Sequence, residues 1–97
     1  MNPYTINKTP TTVLLEIAER HKALRKATKL SQSELAVRAG ISLGSLKRFE
    51  QTGQIALESL LKLVHVLDRL GDFYTIMRID QALIDAERLF SNKTRRS

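Results

Sequence analysis

In this 97-residue chain, the side chains best suited to recognising another molecule gather between Leu43 and Gln54. On a helix turning about 100° per residue, Leu46 and Phe49 define one side. Gly44, Lys47, Arg48 and Gln51 then fall opposite, flanked by Leu43 and Ser45. That outer face offers two cations, an amide and a bare backbone position, and no acid. Lys and Arg suit guanine O6 and N7 or a phosphate, Gln suits adenine, and an apolar side chain such as Leu43 suits a thymine methyl. The expected base-reading set is Leu43, Gly44, Ser45, Lys47 and Arg48, with Gly44 letting the backbone approach the bases. Phosphate contacts fix register without reading sequence. Their candidates are Ser31, Gln32, Ser42, Gln51, Thr52 and Gln54, with Gln32 adding its amide to helix N-terminal N–H groups. A solvated basic helix face is the competing reading of the same pattern. Glu50 falls on the inner flank, where an ion pair to Arg38 or Arg25 is expected.

Other chemistry finds little support. The chain has no cysteine, hence no thiol nucleophile, disulfide framework or Cys-based metal site. His21 and His65 lie on different expected helices without a metal-ligand carboxylate pattern, and His21 is expected to be a half-buried packing residue. Most serines sit at helix caps with no His/Asp arrangement around them, and no glycine-rich phosphate loop occurs. Neither an enzyme, a cofactor nor a metal is expected.

Two short helices at a sharp angle would hold the recognition face in place, and the residues between Gln32 and Gln51 suit that geometry. Ala36 supplies the small residue where the helices cross, and Gly40 the residue free to take positive φ in the turn. Leu35, Ala39, Ile41, Leu46 and Phe49 point inward. Ser31 and Glu34 have capping-box spacing, and Ser42 caps a further helix that reaches about Thr52 and closes at Gly53. Before this motif, Thr9-Pro10 starts a first helix that runs to about Lys29. After it, Ala56–Leu70 carries an apolar stripe of Leu57, Leu60, Leu61, Val64 and Leu67, and ends at Gly71. Asp72–Ile79 reads as a fifth helix, although Phe73–Ile76 would also suit a strand. Gln81–Phe90 is weakly amphipathic, and Ser91–Ser97 reads as a flexible basic tail. The fold expected is all-α, with residues 1–10 a lead-in, 11–79 the body and 80–97 a C-terminal extension and tail.

The net charge of +6 is unevenly placed. Residues 1–55 hold nine Lys/Arg against four Glu, residues 56–90 hold four against six Asp/Glu, and Lys93, Arg95 and Arg96 follow. A basic first half and tail around an acidic segment suggest a polyanion met on one side. Apolar runs are short and the start lacks a secretory pattern, so a soluble cytoplasmic chain is expected.

The motifs Leu30-Ser-Gln-Ser-Glu-Leu-Ala, Ala39-Gly-Ile-Ser and Leu46-Lys-Arg-Phe-Glu50 resemble the Cro/C1-type (XRE) helix-turn-helix domain of phage repressors and bacterial regulators. The likeness runs from about Thr12 to Met77. It implies a five-helix, lambda-repressor-like fold, operator binding as a homodimer, and repression. It also implies Gln32 on phosphate and Leu43, Gly44 and Lys47 on base edges of double-stranded DNA. The family often has Gln or another polar residue where this chain has Leu43 and Gly44, which leaves open which bases are read. A narrower likeness rests on Thr9-Pro-Thr-Thr, Ser42–Glu50 and a short tail. In these the chain is similar to HipB-like regulators encoded beside HipA-type kinase toxins, implying autoregulation and a toxin partner.

Phe73, Tyr74, Ile76, Met77, Ile79 and Leu83 are more apolar than one small domain needs. They are expected to form a two-fold dimer contact or to dock another protein, unless a fifth helix uses them to close the core.

Overall fold

The computed structural model describes residues 8–96, with side chains through Leu89. Five α-helices follow in order: α1 Pro10–Ala27, α2 Gln32–Ala39, α3 Leu43–Thr52, α4 Leu57–Val66 and α5 Gln81–Arg96. A 3₁₀ turn at Leu70–Phe73 lies between the last two. Among the described residues there is no strand.

Local capping sets most of these boundaries. Thr9 Oγ1 accepts the Thr12 N–H at 3.1 Å while Thr12 Oγ1 accepts the Thr9 N–H at 2.8 Å, a capping box built from two threonines. Ser31 and Glu34 form the expected box, each bond 3.0 Å long. The bond from the Ser31 N–H holds the Glu34 carboxyl below its usual range. Gly40 ends α2 at φ 71°, and the Ile41 N–H returns to the Ala36 carbonyl at 3.1 Å. This left-handed exit turns the chain sharply into α3. Ser42 Oγ accepts the Ser45 N–H at 3.0 Å and starts α3.

The core is Ala18 of α1, Leu35 and Ala36 of α2, Leu46 and Phe49 of α3, Leu60, Leu63 and Val64 of α4, and Leu67. The packing pairs are α1 with α3, α2 with α3 and α2 with α4. Ala36 is buried where a larger side chain would push the helices apart. Gly53 serves a similar need more stringently. It closes α3 at φ 80°, and a Cβ there would lie 2.6 Å from the carbonyl carbon of Leu14. The end of α3 therefore rests directly on the α1 backbone.

The second half departs from expectation. The fourth helix stops at Val66 rather than Leu70, with Asp68 in the left-handed region at φ 59°. On its inner face Leu63 is fully buried, while Leu57, expected in the apolar stripe, is exposed. Asp72–Ile79 is neither α-helix nor strand. The 3₁₀ turn tucks Leu70 and Phe73 against the core, and irregular turns then run to Met77 at φ 57°. Tyr74, Thr75 and Ile76 are poor helix formers, and exposed Tyr74 and Ile76 gain little burial to offset that. The fifth helix instead starts where Asp80 Oδ1 accepts the Ala82 N–H at 2.9 Å. It continues through Arg96, so residues expected to form a loose tail extend a helix.

Candidate nucleic-acid interface

α3 is fixed from behind. Leu46 and Phe49 are 0% and 1% exposed, and next to them Glu50 sits at the centre of a buried polar cluster. Arg25 of α1 grips the Glu50 carboxylate with two bonds, Nε to Oε2 at 2.9 Å and Nη2 to Oε1 at 2.8 Å. His21 Nδ1 lies 2.9 Å from Oε2, and Gln32 Nε2 of α2 donates to Oε1 at 3.0 Å. The third Arg25 nitrogen, Nη1, donates to the Leu30 carbonyl at 2.9 Å, tying in the turn between α1 and α2. One carboxylate on α3 thus joins α1, α2 and α3.

Protonation follows from this geometry. Burial alone would raise the Glu50 carboxyl, but the bonds from Arg25 and Gln32, the Arg25 charge and the His21 bond reverse that and hold it below its usual range. The same carboxylate raises Arg25. Burial lowers His21 more than Glu50 raises it, so the ring is neutral near pH 7. Its Nδ1–H then donates to Glu50, leaving Nε2 buried without a partner. The ring also meets Phe49 edge to face, with centroids 5.0 Å apart. His21 is therefore fully buried, not half-buried as expected, and Glu50 pairs with Arg25, not Arg38. The sequence carried no local signal for His21 and Gln32, which lie 29 and 18 positions from Glu50.

In front of this anchor, Gly44, Ser45, Lys47, Arg48 and Gln51 are exposed together on one face of α3. Leu43 is only half-buried, with part of its side chain packed on the core. It therefore stands at the edge of that face. The surrounding residues are mutually organised. Ser42 Oγ donates to Ser45 Oγ at 2.8 Å. Arg48 donates to Gln54 Oε1, the Thr52 hydroxyl donates to the Arg48 carbonyl at 2.7 Å, and the Gln54 N–H donates back to Thr52 Oγ1 at 3.1 Å. Ser45, Arg48 and Gln54 line one polar cleft of about 300 Å³ that runs to the start of α4 at Ala56 and Ser59. Ser31 is exposed at the cap of α2. Gln32 is half-buried and gives one amide N–H to Glu50, which leaves the other free to face outward. Phe73, Tyr74, Ile76, Met77, Ile79 and Leu83 lie in the turn and at the start of α5, away from α3 in sequence and in packing.

A helix-turn-helix family model matches residues 22–72, more than half of the chain, from the last turns of α1 into the 3₁₀ turn. No curated protein and no solved structure matches the chain. Among the described residues, no helix is long and apolar enough to cross a membrane.

Proposed function

This chain belongs to the Cro/C1-type helix-turn-helix family of DNA-binding transcription regulators, and from that premise we propose that it is a repressor which binds a palindromic operator as a homodimer and regulates its own operon. The outer face of α3 supports this reading: two cations, an amide and an open glycine, free of acids and held from behind by the Glu50 cluster. Gly44, Ser45, Lys47 and Arg48, with Leu43 at the edge, read bases in the major groove. Ser31, Gln32, Ser42, Gln51, Thr52 and Gln54 hold phosphates on either side. A monomer reads one half-site, and a two-fold dimer places two recognition helices about 34 Å apart, one turn of DNA. Affinity drawn from phosphate neutralisation falls steeply with salt.

The test is a fluorescence anisotropy titration of DNA from upstream of the protein's own gene against a shuffled fragment. Tighter binding to the native fragment by about 10³-fold or more supports the reading. Equal, weak binding to both contradicts it.

Exposed Tyr74, Ile76, Met77, Ile79 and Leu83 favour a second reading. In it the chain chiefly holds a protein partner, such as a toxin kinase of the HipA type, and DNA binding is secondary. Co-purification of a stoichiometric partner with the native chain separates the two.

A further inference from the structure

Among the described residues, two apolar surfaces lie open and suit each other in chemistry. The first is a groove of about 330 Å³ between α1, α4 and the 3₁₀ turn. Its walls include Ile17, Leu24, Leu60, Val64, Phe73 and Ile76, and Arg20, His21, Arg69 and Asp72 complete the lining. The second is a stripe on α5. At helical spacing Ala82, Leu83, Ala86 and Leu89 fall within about a third of the circumference. Leu83 and Leu89 are 57% and 64% exposed, and the described side chains of α5 make no substantial packing contact with the other helices.

The charges are complementary too. Asp85 and Glu87 flank the α5 stripe, one on each side, and the groove carries Arg20 and Arg69. The present partners of these arginines are acids at the surface, half-buried Glu16 for Arg20 at 3.6 Å and exposed Asp72 for Arg69 at 2.9 Å. Such pairs are weak and exchange readily.

The chain's own α5 is held away from its own groove. Only four residues separate Ile76, in the groove wall, from Gln81, the first residue of the helix. Met77 in the left-handed region, the Arg78 N–H on the Thr75 carbonyl at 3.1 Å and the Asp80 cap fix their course. A second copy has no such constraint. We propose that two copies exchange their α5 helices, each laying its Leu83–Leu89 stripe into the α1–α4 groove of the other. This rests on the homodimer reading above and specifies its interface. The exchange is reciprocal, so both grooves and both stripes are covered under one two-fold axis.

The absence of native cysteine makes the test clean. Full-length chains carrying Ile17→Cys and chains carrying Leu83→Cys are mixed and mildly oxidised. The mixed disulfide is expected to dominate over either self-disulfide. Leu83→Cys chains joining each other as readily would place α5 against α5 and overturn the proposal. So would an intramolecular bond in the double variant at high dilution. Sedimentation equilibrium of Leu83→Glu supplies the second measurement. The dimer should weaken by on the order of 100-fold, with two buried leucines lost per dimer, while the far-UV circular dichroism of the body is retained. A wild-type chain that stays monomeric at tens of micromolar contradicts the homodimer reading itself. A wild-type dimer left intact by Leu83→Glu overturns the exchange alone.

Discussion

α3 and α5 are both amphipathic helices with charged outer faces, yet they differ in what lies behind them. The inner residues of α3, Leu46 and Phe49, are completely enclosed, and Glu50 beside them is bonded to two other helices. Among the described residues, the apolar stripe of α5 stays exposed, and α5 has no substantial packing partner in its own chain. A recognition helix must present its side chains at fixed positions, and such a site needs a rigid support. A helix that meets a partner needs the opposite, a stripe left open until the partner arrives. Amphipathic pattern alone does not separate these cases; the presence of a matching surface within the chain does.

That contrast is broken most severely at the Glu50 cluster. Glu50→Ala leaves Arg25 buried without its carboxylate. It is expected to destabilise the body by about 3–5 kcal/mol, much of the stability of a small domain. Chemical denaturation of the variant measures this. A loss below about 1 kcal/mol would mean that the cluster does not hold α3.

Gly53→Ala comes next. It places a Cβ in a left-handed backbone position and against the Leu14 carbonyl, at a cost of about 2–4 kcal/mol. The same substitution at Gly44, inside α3 where a Cβ meets nothing within 4 Å, should cost no stability and raise it by up to about 1 kcal/mol, its loss falling on DNA binding instead. Thermal melts of the two variants sharpen the distinction between support and presentation.

A pH dependence follows from His21. Its pKa is lowered in the folded chain, so below about 6.5 the unfolded chain binds a proton that the folded chain does not. Stability is therefore full above that pH and falls as pH drops toward the folded value, by at most about 1.4 kcal/mol per pH unit. Glu50, also lowered, adds a further loss below the ordinary carboxylate range. His21→Gln is expected to flatten the slope below about pH 6.5 while keeping a donor to Glu50. Denaturation midpoints across pH check it.

The smallest effect belongs to the other side of the comparison. Leu83→Glu should change monomer stability by less than about 0.5 kcal/mol, because this exposed leucine supports no core. A larger loss in melts at low protein concentration would show that α5 does pack on its own body.

The same contrast decides what could be read from the sequence. α1 to α3 were legible because short-range devices mark their ends: Thr9-Pro10, the Ser31/Glu34 box, Gly40, Ser42 and Gly53. The Arg25 partner of Glu50 was legible as one of two options, since an acid on an inner flank needs a cation. Its other two donors were not, because they meet only after the three helices pack. The stretch after Val66 misled because its apolar residues suggested a helix that closes the core. The core is already closed by Leu70 and Phe73, so the remaining apolar residues stay at the surface. Asp80, with an N-capping side chain just before Gln81, was the available signal for the true start of α5.

The most direct test of the central claim, that the supported face of α3 reads base sequence, is anisotropy binding of wild type and Arg48→Ala to the native upstream fragment and its single-base variants at fixed salt. The expected result is a loss of about 1–3 kcal/mol on the native fragment, with discrimination erased at one base pair and kept at the others. Uniform weakening on every fragment would reduce Arg48 to a phosphate contact. A wild type that does not distinguish the fragments at all would contradict the claim.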